Sequence, residues 1–366
     1  MSHAVPALLV VAALVAAACT GVSGPPPERA DGAPLVIAHR GASGERPEHT
    51  LEAYRLAIAQ GADFIEPDLV LTKDGVFVAR HENEISGTTD VAARPEFAAR
   101  KTTRVIDGET VSGWFTEDFT LAELKTLRAK ERLPQLRPAN ARFDGREPIP
   151  TFEEVAALAR AESARTGRAI GVYPELKHPA HFAAAGLPME VRFAELLKRL
   201  GLNGADAPIF VQCFEVGPLK TLNGLVEAPL VQLVSASGGP ADLPGRTYAE
   251  MLTPQGLREV AAYADGIGPE KTLILPRDAE GRSLAPTTLV ADAHAAGLKV
   301  HPWTFRAENY FLPLELRRGL TLRPDYMRLH GDLEGELKQF YALGVDGVFS
   351  DFPGRAVAAR DQRRAR

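Results

Sequence analysis

Short apolar runs recur along the chain, and amphipathic segments separate many of them. The runs predict eight strands, at residues 35–38, 64–65, 170–173, 209–211, 230–234, 267, 298–300 and 347–349. Amphipathic segments at residues 51–59, 152–161, 191–200 and 287–296 predict helices. Alternating strands and helices are typical of a parallel sheet. Eight such strands favour an α/β fold of the (β/α)8 TIM-barrel type, which typically has about 250 residues.

Polar side chains follow most of the predicted strands. They are His39 and Arg40, Glu66 and Asp68, Glu175 and Lys177, Gln212, His301 and Trp303, and Asp351. The carboxyl ends of the strands of a parallel barrel gather at one rim, where barrels of this type perform chemistry. We therefore expect these side chains to converge on one site.

One segment interrupts the alternation of strands and helices. Asp74-Gly75 lies between two apolar runs and predicts a β-hairpin. The returning arm, residues 76–79, is expected outside the barrel. It would carry His81 back over the rim, beside Glu66 and Asp68.

A small insertion is expected at about residues 69–150. Within it, residues 88–150 have a weak apolar pattern and many Arg, Pro and Asp residues, which predicts a loop-rich segment. One helix is expected near residues 120–123, and regular structure resumes at 151–154. Both of these four-residue stretches have the spacing of a capping box.

The N-terminal segment predicts export. Residues 7–18 are all apolar and end at Cys19. Such a run is too short to cross the roughly 30 Å hydrocarbon core of a bilayer, and it is typical of a signal peptide, here residues 1–18. Ala16-Ala17-Ala18-Cys19 resembles a bacterial lipobox, so Cys19 is either lipidated or the start of a soluble secreted protein. Both interpretations place the protein outside the cytoplasm, in the periplasm or anchored to a membrane. An uncleaved or misassigned start is the third interpretation.

The remaining chain divides into three parts. Residues 19–34 are rich in Pro and Gly and predict a tether, residues 35–358 are expected to form the barrel domain, and residues 359–366 form a basic tail. Apart from Cys19, the only cysteine is Cys213. An intramolecular disulfide is therefore impossible, and Cys213 is interpreted as a buried strand thiol.

Composition excludes several classes of protein. The chain has 366 residues, is 45% hydrophobic and carries a formal net charge of −5. These values are ordinary for a soluble globular protein and unlike those of a disordered one. Mild acidity provides no general attraction to nucleic acid, so an anionic substrate must be bound by a local cluster of positive charge.

Three carboxylates and two histidines are the first candidates for chemistry. Glu66 and Asp68 point to one side of a strand, and Glu175 would complete an all-oxygen site for Ca²⁺ or Mg²⁺ if it lies across the barrel mouth. His39 and His81 lack a close spacing typical of metal ligands, so we interpret them as an acid and a base. The alternatives are zinc or iron ligation and purely structural roles.

Two cations accompany these groups. Lys177 shares a strand face with Glu175, and Arg40 directly follows His39. Fixed cations beside a metal form a site for a phosphoryl oxygen. The alternatives are a solvated surface lysine at position 177 and an arginine that only braces the strand-end turn.

Four further residues are secondary candidates. Trp303 either walls the pocket or packs in the core, and Glu48 is either a hydrogen-bonding group in the pocket or an ordinary acid at a helix start. Gln212 and Asp351 are strand-end groups that either bind substrate or brace loops. No role is assigned to the remaining histidines after the N-terminal segment, which are His49, His178, His181, His294, His301 and His330.

Several motifs, taken together, resemble the glycerophosphodiester phosphodiesterase family. They begin with His39-Arg40-Gly41, Pro47-Glu48-His49-Thr50, residues 61–75 and Pro174-Glu175-Leu176-Lys177. Further matches are Val211-Gln212-Cys213-Phe214, residues 263–269, His301-Pro302-Trp303-Thr304 and Ser350-Asp351-Phe352-Pro353. The matches span nearly the whole chain after the tether and point to the periplasmic branch that releases glycerol 3-phosphate.

The resemblance implies a TIM barrel with an inserted subdomain, and it implies roles for individual residues. Glu66, Asp68 and Glu175 would hold one divalent cation, which is Ca²⁺ in this branch and Mg²⁺ in others. His39 and His81 would act as acid and base, and Arg40 and Lys177 would lie near the phosphate. One departure is that Glu82 follows His81 where the family usually has Asp. If that acid orients the histidine, its greater length changes the pose.

The expected function is metal-dependent hydrolysis of glycerophosphodiesters to sn-glycerol 3-phosphate and an alcohol. The nucleophile would be either the glycerol 2-hydroxyl, through a cyclic phosphate, or water. A phosphodiesterase for phospholipid head groups should have an exposed apolar entry loop, and the sequence reveals none. A glycosidase would not need His39, His81 and Lys177. A non-catalytic exported binding protein would not need both histidines and all three acids.

Overall fold

A computed structural model describes residues 1, 29, 31–204 and 206–362. The predicted signal peptide beyond Met1, Cys19, most of the tether and the last four residues of the basic tail lie outside these described residues. Among the described helices, none combines the length and the apolar composition needed to cross a bilayer.

The described residues form thirteen strands, eight of which correspond to the predicted positions. The strands are β1 (Leu35–His39), β2 (Phe64–Glu66), β3 (Asp68–Leu71), β4 (Phe77–Ala79), β5 (Thr102–Ile106), β6 (Glu109–Gly113), β7 (Gly171–Val172), β8 (Glu175–Leu176), β9 (Val211–Cys213), β10 (Leu230–Val234), β11 (Gly266–Pro269), β12 (Lys299–Val300) and β13 (Gly347–Ser350).

The strands confirm the predicted TIM barrel. The order around the barrel is β1, β2 continued by β3, β7 continued by β8, β9, β10, β11, β12 and β13, and neighbouring strands are parallel. Pro67 separates β2 from β3 because it has no backbone N–H to donate. Loop residues close the barrel between β12 and β13: the Phe305 N–H donates to the Phe349 carbonyl at 2.8 Å, and the Phe349 N–H to the Pro302 carbonyl at 3.1 Å.

Eleven α-helices lie within the described residues, and most of them cover the outside of the barrel. They are α1 (Leu51–Ala59), α2 (Leu121–Leu124), α3 (Phe152–Thr166), α4 (Pro179–Ala184), α5 (Glu190–Leu200), α6 (Val216–Asn223), α7 (Tyr248–Met251), α8 (Pro254–Val260), α9 (Leu289–Ala295), α10 (Leu333–Ala342) and α11 (Pro353–Asp361). Complete capping boxes start α2 and α3, at Thr120 with Glu123 and at Thr151 with Glu154, as the spacing predicted.

The segment between β3 and α3 leaves the barrel at Thr72. The predicted hairpin is present, since β4 pairs antiparallel with β3. A second hairpin, formed by β5 and β6, was not predicted. It turns at Asp107-Gly108, which carries the same signal as Asp74-Gly75. The second hairpin brings part of the insertion to the catalytic side of the barrel.

Aromatic and branched side chains fill the barrel interior. The buried side chains are Leu35, Ile37, Phe64, Tyr173, Phe210, Val231 and Phe349. Tyr173 stacks on Phe210 with ring centroids 4.9 Å apart. Such a packed interior leaves the strand ends as the place for a site.

The expectation that His301 lies at the catalytic rim is wrong. Its ring is 1% exposed, and Nδ1 lies 2.8 Å from the Tyr173 hydroxyl. His301 borders a cavity of about 210 Å³ whose wall includes Leu35 and Lys299, the first residues of β1 and β12. His301 and Trp303 share a strand face, but only Trp303 is far enough along the chain to reach the rim.

Candidate active site

The pairing of neighbouring strands brings three carboxylates together. Glu66 ends β2 and Asp68 begins β3, so both side chains point to the same side of one interrupted strand. Asp68 is the register partner of Glu175, the first residue of β8. One carboxylate oxygen from each residue lies within 4.8 Å of the other two, and all three side chains are buried.

Burial and mutual repulsion disfavour three negative charges in this cluster. Burial, together with Asp68, raises the pKa of Glu66 well above its ordinary value. Burial raises the pKa of Glu175 to about 8, although Lys177 opposes the shift. Three buried carboxylate oxygens at this spacing fit a hard divalent cation, which would offset their charge. The metal site expected from the sequence is thus assembled.

Asp68 is the member of the trio that remains ionised. Burial favours its neutral form, but the charges of Arg40 and the hydrogen bond from His49 hold its pKa well below the ordinary value. His49 Nε2 lies 2.9 Å from Asp68 Oδ2, and His49 Nδ1 lies 2.8 Å from the Tyr54 hydroxyl. His49 therefore orients a ligand carboxylate, a role that the sequence did not reveal.

Arg40 connects the first strand to the acid cluster. Its backbone N–H donates to Glu66 Oε2 at 2.7 Å, and its Nε lies 3.2 Å from Asp68 Oδ2. Glu48 holds the other end, accepting from Arg40 Nη1 at 3.0 Å and from Arg132 Nε at 2.8 Å. Burial opposes the charge of Arg40, yet the surrounding carboxylates raise its pKa above the ordinary value. Arg40 is therefore a fixed cation.

The turn after β1 leaves room for nothing larger than glycine at position 41. Gly41 has φ +85°, and a Cβ there would lie 2.7 Å from the backbone of Ala53. Arg40 itself has φ 61°, in the left-handed region that non-glycine residues seldom adopt. The tight turn directs both His39 and Arg40 toward the rim.

His39 is held by a carboxylate that two arginines hold in turn. His39 Nδ1 lies 2.6 Å from Asp351 Oδ1. The other carboxylate oxygen accepts from Arg137 Nη2 at 2.6 Å and from Arg306 Nε at 2.9 Å. Burial, with the nearby charge of Arg40, lowers the pKa of His39 to about 4. The neutral ring therefore carries its proton on Nδ1, donates to Asp351 and leaves Nε2 as a base.

His81 is held in the same manner from the opposite side. Its Nδ1 lies 2.7 Å from Glu82 Oε1. Burial, together with the charges of Arg40 and Lys177, lowers the pKa of His81 to about 3. His81 follows β4, whose antiparallel pairing with β3 returns the chain toward the site, as predicted. His39 and His81 are thus both neutral imidazoles with a carboxylate beside Nδ1.

Lys177 and two aromatic rings border the remaining side of the site. Lys177 Nζ lies 3.1 Å from Glu175 Oε1 and 5.7 Å from the centre of the Phe214 ring. Although burial opposes it, Glu175 raises the pKa of Lys177 above the ordinary value. Trp303 is half-buried, with its ring 5.8 Å from that of Phe214 and its Nε1 donating to the Gly268 carbonyl at 2.8 Å. Trp303 is therefore positioned as a wall.

Gln212 lies behind the acid cluster. It is paired in register with Glu175, and its Nε2 lies 3.3 Å from Glu66 Oε1. Its Oε1 is buried with no hydrogen-bond partner. Cys213, the next residue in the sequence, is the buried strand thiol that was predicted. Its Sγ contacts the Leu176 carbonyl. Gln212 is placed to fix Glu66.

Four contributors to the site were not identified from the sequence as functional residues. They are His49, Arg132, Arg137 and Arg306, and Asp351 was considered only as a secondary candidate. Arg132 and Arg137 belong to the insertion, where the apolar pattern was too weak to predict which side chains face the barrel. His49 had a usable signal, since it sits in the Pro47-Glu48-His49-Thr50 match just before α1.

Comparison with known proteins agrees with this geometry. The chain matches the profile of the Glycerophosphoryl diester phosphodiesterase family over residues 39–355. It is 39% identical to glycerophosphodiester phosphodiesterase GDPD6 of Arabidopsis thaliana over 88% of this chain and 84% of the relative. It is 30% identical to a glycerophosphodiester phosphodiesterase of Haemophilus influenzae, with 88% of each chain covered.

A solved structure shares the fold at lower identity. It is an Oleispira antarctica phosphodiesterase in complex with the product sn-glycerol-3-phosphate. The TM-score is 0.59 at 23% identity, and the match covers 90% of this chain and 98% of the other.

The raised pKa of Glu175 predicts that the affinity for a divalent cation depends on pH. Below about pH 8 this carboxyl is protonated, and the cation must displace the proton in order to bind. Affinity should therefore rise with pH, by up to about tenfold per unit for each displaced proton. Calorimetric titration with Ca²⁺ at pH 6.5 and pH 8.5 measures the difference.

The control variants for this titration are Asp68→Asn and Glu109→Gln. The first removes one member of the trio and should abolish binding at both pH values. The second changes an exposed acid away from the trio and should leave binding unchanged. Equal affinity of the unaltered protein at the two pH values would contradict the prediction.

Proposed function

This chain belongs to the glycerophosphoryl diester phosphodiesterase family, and we propose that it hydrolyses glycerophosphodiesters to sn-glycerol 3-phosphate and an alcohol. One observation carries the proposal: two carboxylate-bound imidazoles and two fixed cations meet around a buried trio of carboxylates. The names of the relatives and the product bound to the Oleispira antarctica enzyme support the same substrate class.

Glu66, Asp68 and Glu175 would hold one divalent cation. We propose Ca²⁺, with Mg²⁺ as the alternative, because the donors are all carboxylate oxygens. When bound, the cation neutralises charge on the phosphodiester and polarises its P–O bonds. The three acids contribute by fixing that position; Asp68 is already ionised, and the cation would displace the protons of Glu66 and Glu175.

Arg40 and Lys177 bind the anionic phosphodiester. Both side chains are buried and permanently charged, and both lie beside the acid trio. Buried cations attract a phosphate oxygen more strongly than exposed ones, because solvent screens them less. Glu48 keeps Arg40 oriented, and Trp303 closes one wall of the pocket.

His39 and His81 move the protons. His39 donates the proton on its Nδ1 to Asp351, and His81 has Glu82 beside its Nδ1, so the Nε2 of each ring can accept a proton. One neutral imidazole takes the proton of the nucleophile. The other first takes up a proton from solvent and then gives it to the departing alcohol oxygen, and the balance closes when the first ring returns its proton to solvent. The nucleophile is either the glycerol 2-hydroxyl or water. Asp351 and Glu82 stabilise the imidazolium form of each ring during transfer.

A second candidate function is hydrolysis of phospholipid head groups, and one observation favours it. Leu320 is 75% exposed and Leu322 is 96% exposed, in a loop between β12 and α10 that lies on the catalytic side of the barrel. Glu308, at the start of this loop, accepts from Arg137 at 2.6 Å. An exposed apolar loop of this kind is the feature that a lipid-directed enzyme needs.

Hydrolysis of a soluble substrate with and without chelator tests the proposal. The protein with Ca²⁺ should release glycerol 3-phosphate from glycerophosphocholine, and EDTA should abolish the release because the acid trio needs its cation. Lysophosphatidylcholine in vesicles, assayed in parallel, should be cleaved at least about tenfold more slowly. Preferential cleavage of that lipid would instead support the second candidate, and binding of glycerophosphocholine without turnover would identify a binding protein.

Replacing either histidine should remove most of the activity. We expect His39→Ala and His81→Ala to lower kcat by at least about a hundredfold, because general acid–base groups typically contribute about 10²- to 10⁴-fold. The matched control is His294→Ala, since His294 also pairs with a carboxylate but lies on α9 at Asp346. Circular dichroism checks that each variant is folded. Near-normal kcat in either of the first two variants would remove that residue from the mechanism.

We further propose that the protein belongs to the periplasmic branch of the family and is exported as a lipoprotein through Cys19. The support is the apolar run of residues 7–18 followed by Cys19. Mass spectrometry of protein made in a bacterial host should find a mature chain that starts at a lipid-modified Cys19. Cys19→Ala should move the protein out of the membrane fraction. An intact Met1 on cytoplasmic protein would refute export.

A further inference from the structure

We propose that His178 and Asp107 are positioning residues for His81, and that they act through Glu82. The inference rests on the proposed function, because it assigns the purpose of these residues to the proton transfer at His81. It makes the β5–β6 hairpin of the insertion a working part of the active site. None of these three supporting residues needs to touch the substrate.

The four side chains form one continuous chain of short contacts. His81 Nδ1 lies 2.7 Å from Glu82 Oε1, and Glu82 Oε2 lies 2.8 Å from His178 Nε2. His178 Nδ1 lies 2.6 Å from Asp107 Oδ2. Each carboxylate oxygen of Glu82 therefore serves a different imidazole, and His178 has a carboxylate at both ring nitrogens. Both ring nitrogens of His178 can donate only if the ring is cationic.

The length of the Glu82 side chain accounts for this arrangement. Glu82 is 45% exposed at the side chain, so nothing in the core holds it in place. A carboxylate on such a flexible stem needs a second anchor before it can orient His81. His178 supplies that anchor, and Asp107 fixes His178 in turn. An aspartate at position 82 would be one methylene shorter, so its carboxylate would reach less far toward His178.

The backbone supports a functional purpose for the network. Among the described residues, four non-glycine residues have a left-handed φ: Arg40 at 61°, His49 at 54°, Asp107 at 49° and His178 at 51°. Arg40 and His49 contact the acid trio, while Asp107 and His178 contact each other. Left-handed backbone costs free energy for such residues and clusters at functional sites. The hairpin turn at Asp107-Gly108 itself requires the left-handed φ of Asp107, so within the network the strain that the fold does not otherwise explain lies at His178.

The charges around His178 agree with its position between two carboxylates. Burial and the adjacent Lys177 disfavour a cation there, but the hydrogen bonds to Asp107 and Glu82 raise the pKa of His178 to about 9. Glu215 also interacts electrostatically with this ring, although burial raises the pKa of Glu215 to about 7. His178 is consequently a cation at neutral pH, and Glu82 remains an ionised acceptor for His81.

The network ties two separate segments of the chain to His81. Asp107 lies at the turn between β5 and β6, and His178 immediately precedes α4. Docking of the hairpin on the barrel therefore brings Asp107 to His178. An insertion that leaves the barrel after β3 thus returns to complete the support of a catalytic ring.

Steady-state kinetics with glycerophosphocholine and saturating Ca²⁺ tests the network. His178→Gln should lower kcat by about tenfold, a size typical of groups that orient a functional imidazole. Asp107→Asn should lower kcat by a smaller factor. KM should stay within about twofold in both variants, because neither residue binds substrate. In a Glu82→Gln background, His178→Gln should add no further loss, since its effect passes through Glu82.

Glu109→Gln is the matched control for the kinetics. It removes an exposed acid from the same hairpin, only two residues from Asp107, and should leave kcat unchanged. Unchanged kcat in His178→Gln, a loss confined to KM, or fully additive losses in the double variant would overturn the proposal.

Ring ¹⁵N NMR of His81 provides a test that does not depend on turnover. The His81 ring should be the Nδ1–H tautomer in the unaltered protein, and His178→Gln should shift its population toward the Nε2–H tautomer. An unchanged His81 spectrum in that variant would overturn the network. An inactive unaltered protein with the expected spectral shift would instead refute the proposed function and leave the network standing.

Discussion

Three carboxyl groups whose oxygens lie within 4.8 Å of one another would repel strongly in a buried site if all were ionised, and the surrounding cations offset part of that repulsion. Arg40 contacts Glu66 through its backbone and Asp68 through its side chain. Lys177 contacts Glu175, the third member of the trio. The cations are therefore fixed before any substrate arrives, and their positions define where a phosphate can bind.

Each of the two proposed catalytic imidazoles is oriented by a carboxylate that has its own support. Asp351 is held by Arg137 and Arg306, whereas Glu82 is held by His178. Each of these two carboxylates thus has a cationic partner in addition to the catalytic imidazole. The positive charge of that partner limits how far the carboxylate raises the pKa of the imidazole. Both rings remain neutral in the resting protein and are ready to accept a proton at Nε2.

The insertion contributes more to the site than its weak sequence pattern suggested. Arg132 reaches Glu48, Arg137 reaches Asp351, and Asp107 reaches His178. Each of these contacts joins the insertion to a group that holds a proposed catalytic or phosphate-binding residue. The insertion therefore acts as a brace that fixes the orientation of side chains on the barrel rim.

The fold could be predicted because its signals are local. Each of these signals depends only on residues within a few positions along the chain. They are the apolar runs of strand length, the capping boxes of the helices and the Asp74-Gly75 turn. The order of these elements leaves few topologies open, and the barrel follows. The hairpin at Asp107-Gly108 was missed although its signal is as short-range, because the flanking strands lie in an otherwise irregular segment.

By itself the sequence predicted the barrel, the acid trio and the two proposed catalytic histidines. The reasons are that the carboxyl ends of parallel barrel strands gather at one rim and that the Asp74-Gly75 hairpin returns His81 toward it. Only the tertiary structure decided which side chains support them. Asp351 and Arg137 are 214 residues apart, and Asp107 and His178 are 71 apart. Contacts over such separations depend on how the insertion and the barrel pack together, and no local pattern records that. For the same reason, the inward direction of His301 was decided by the packed barrel and not by its position after a strand.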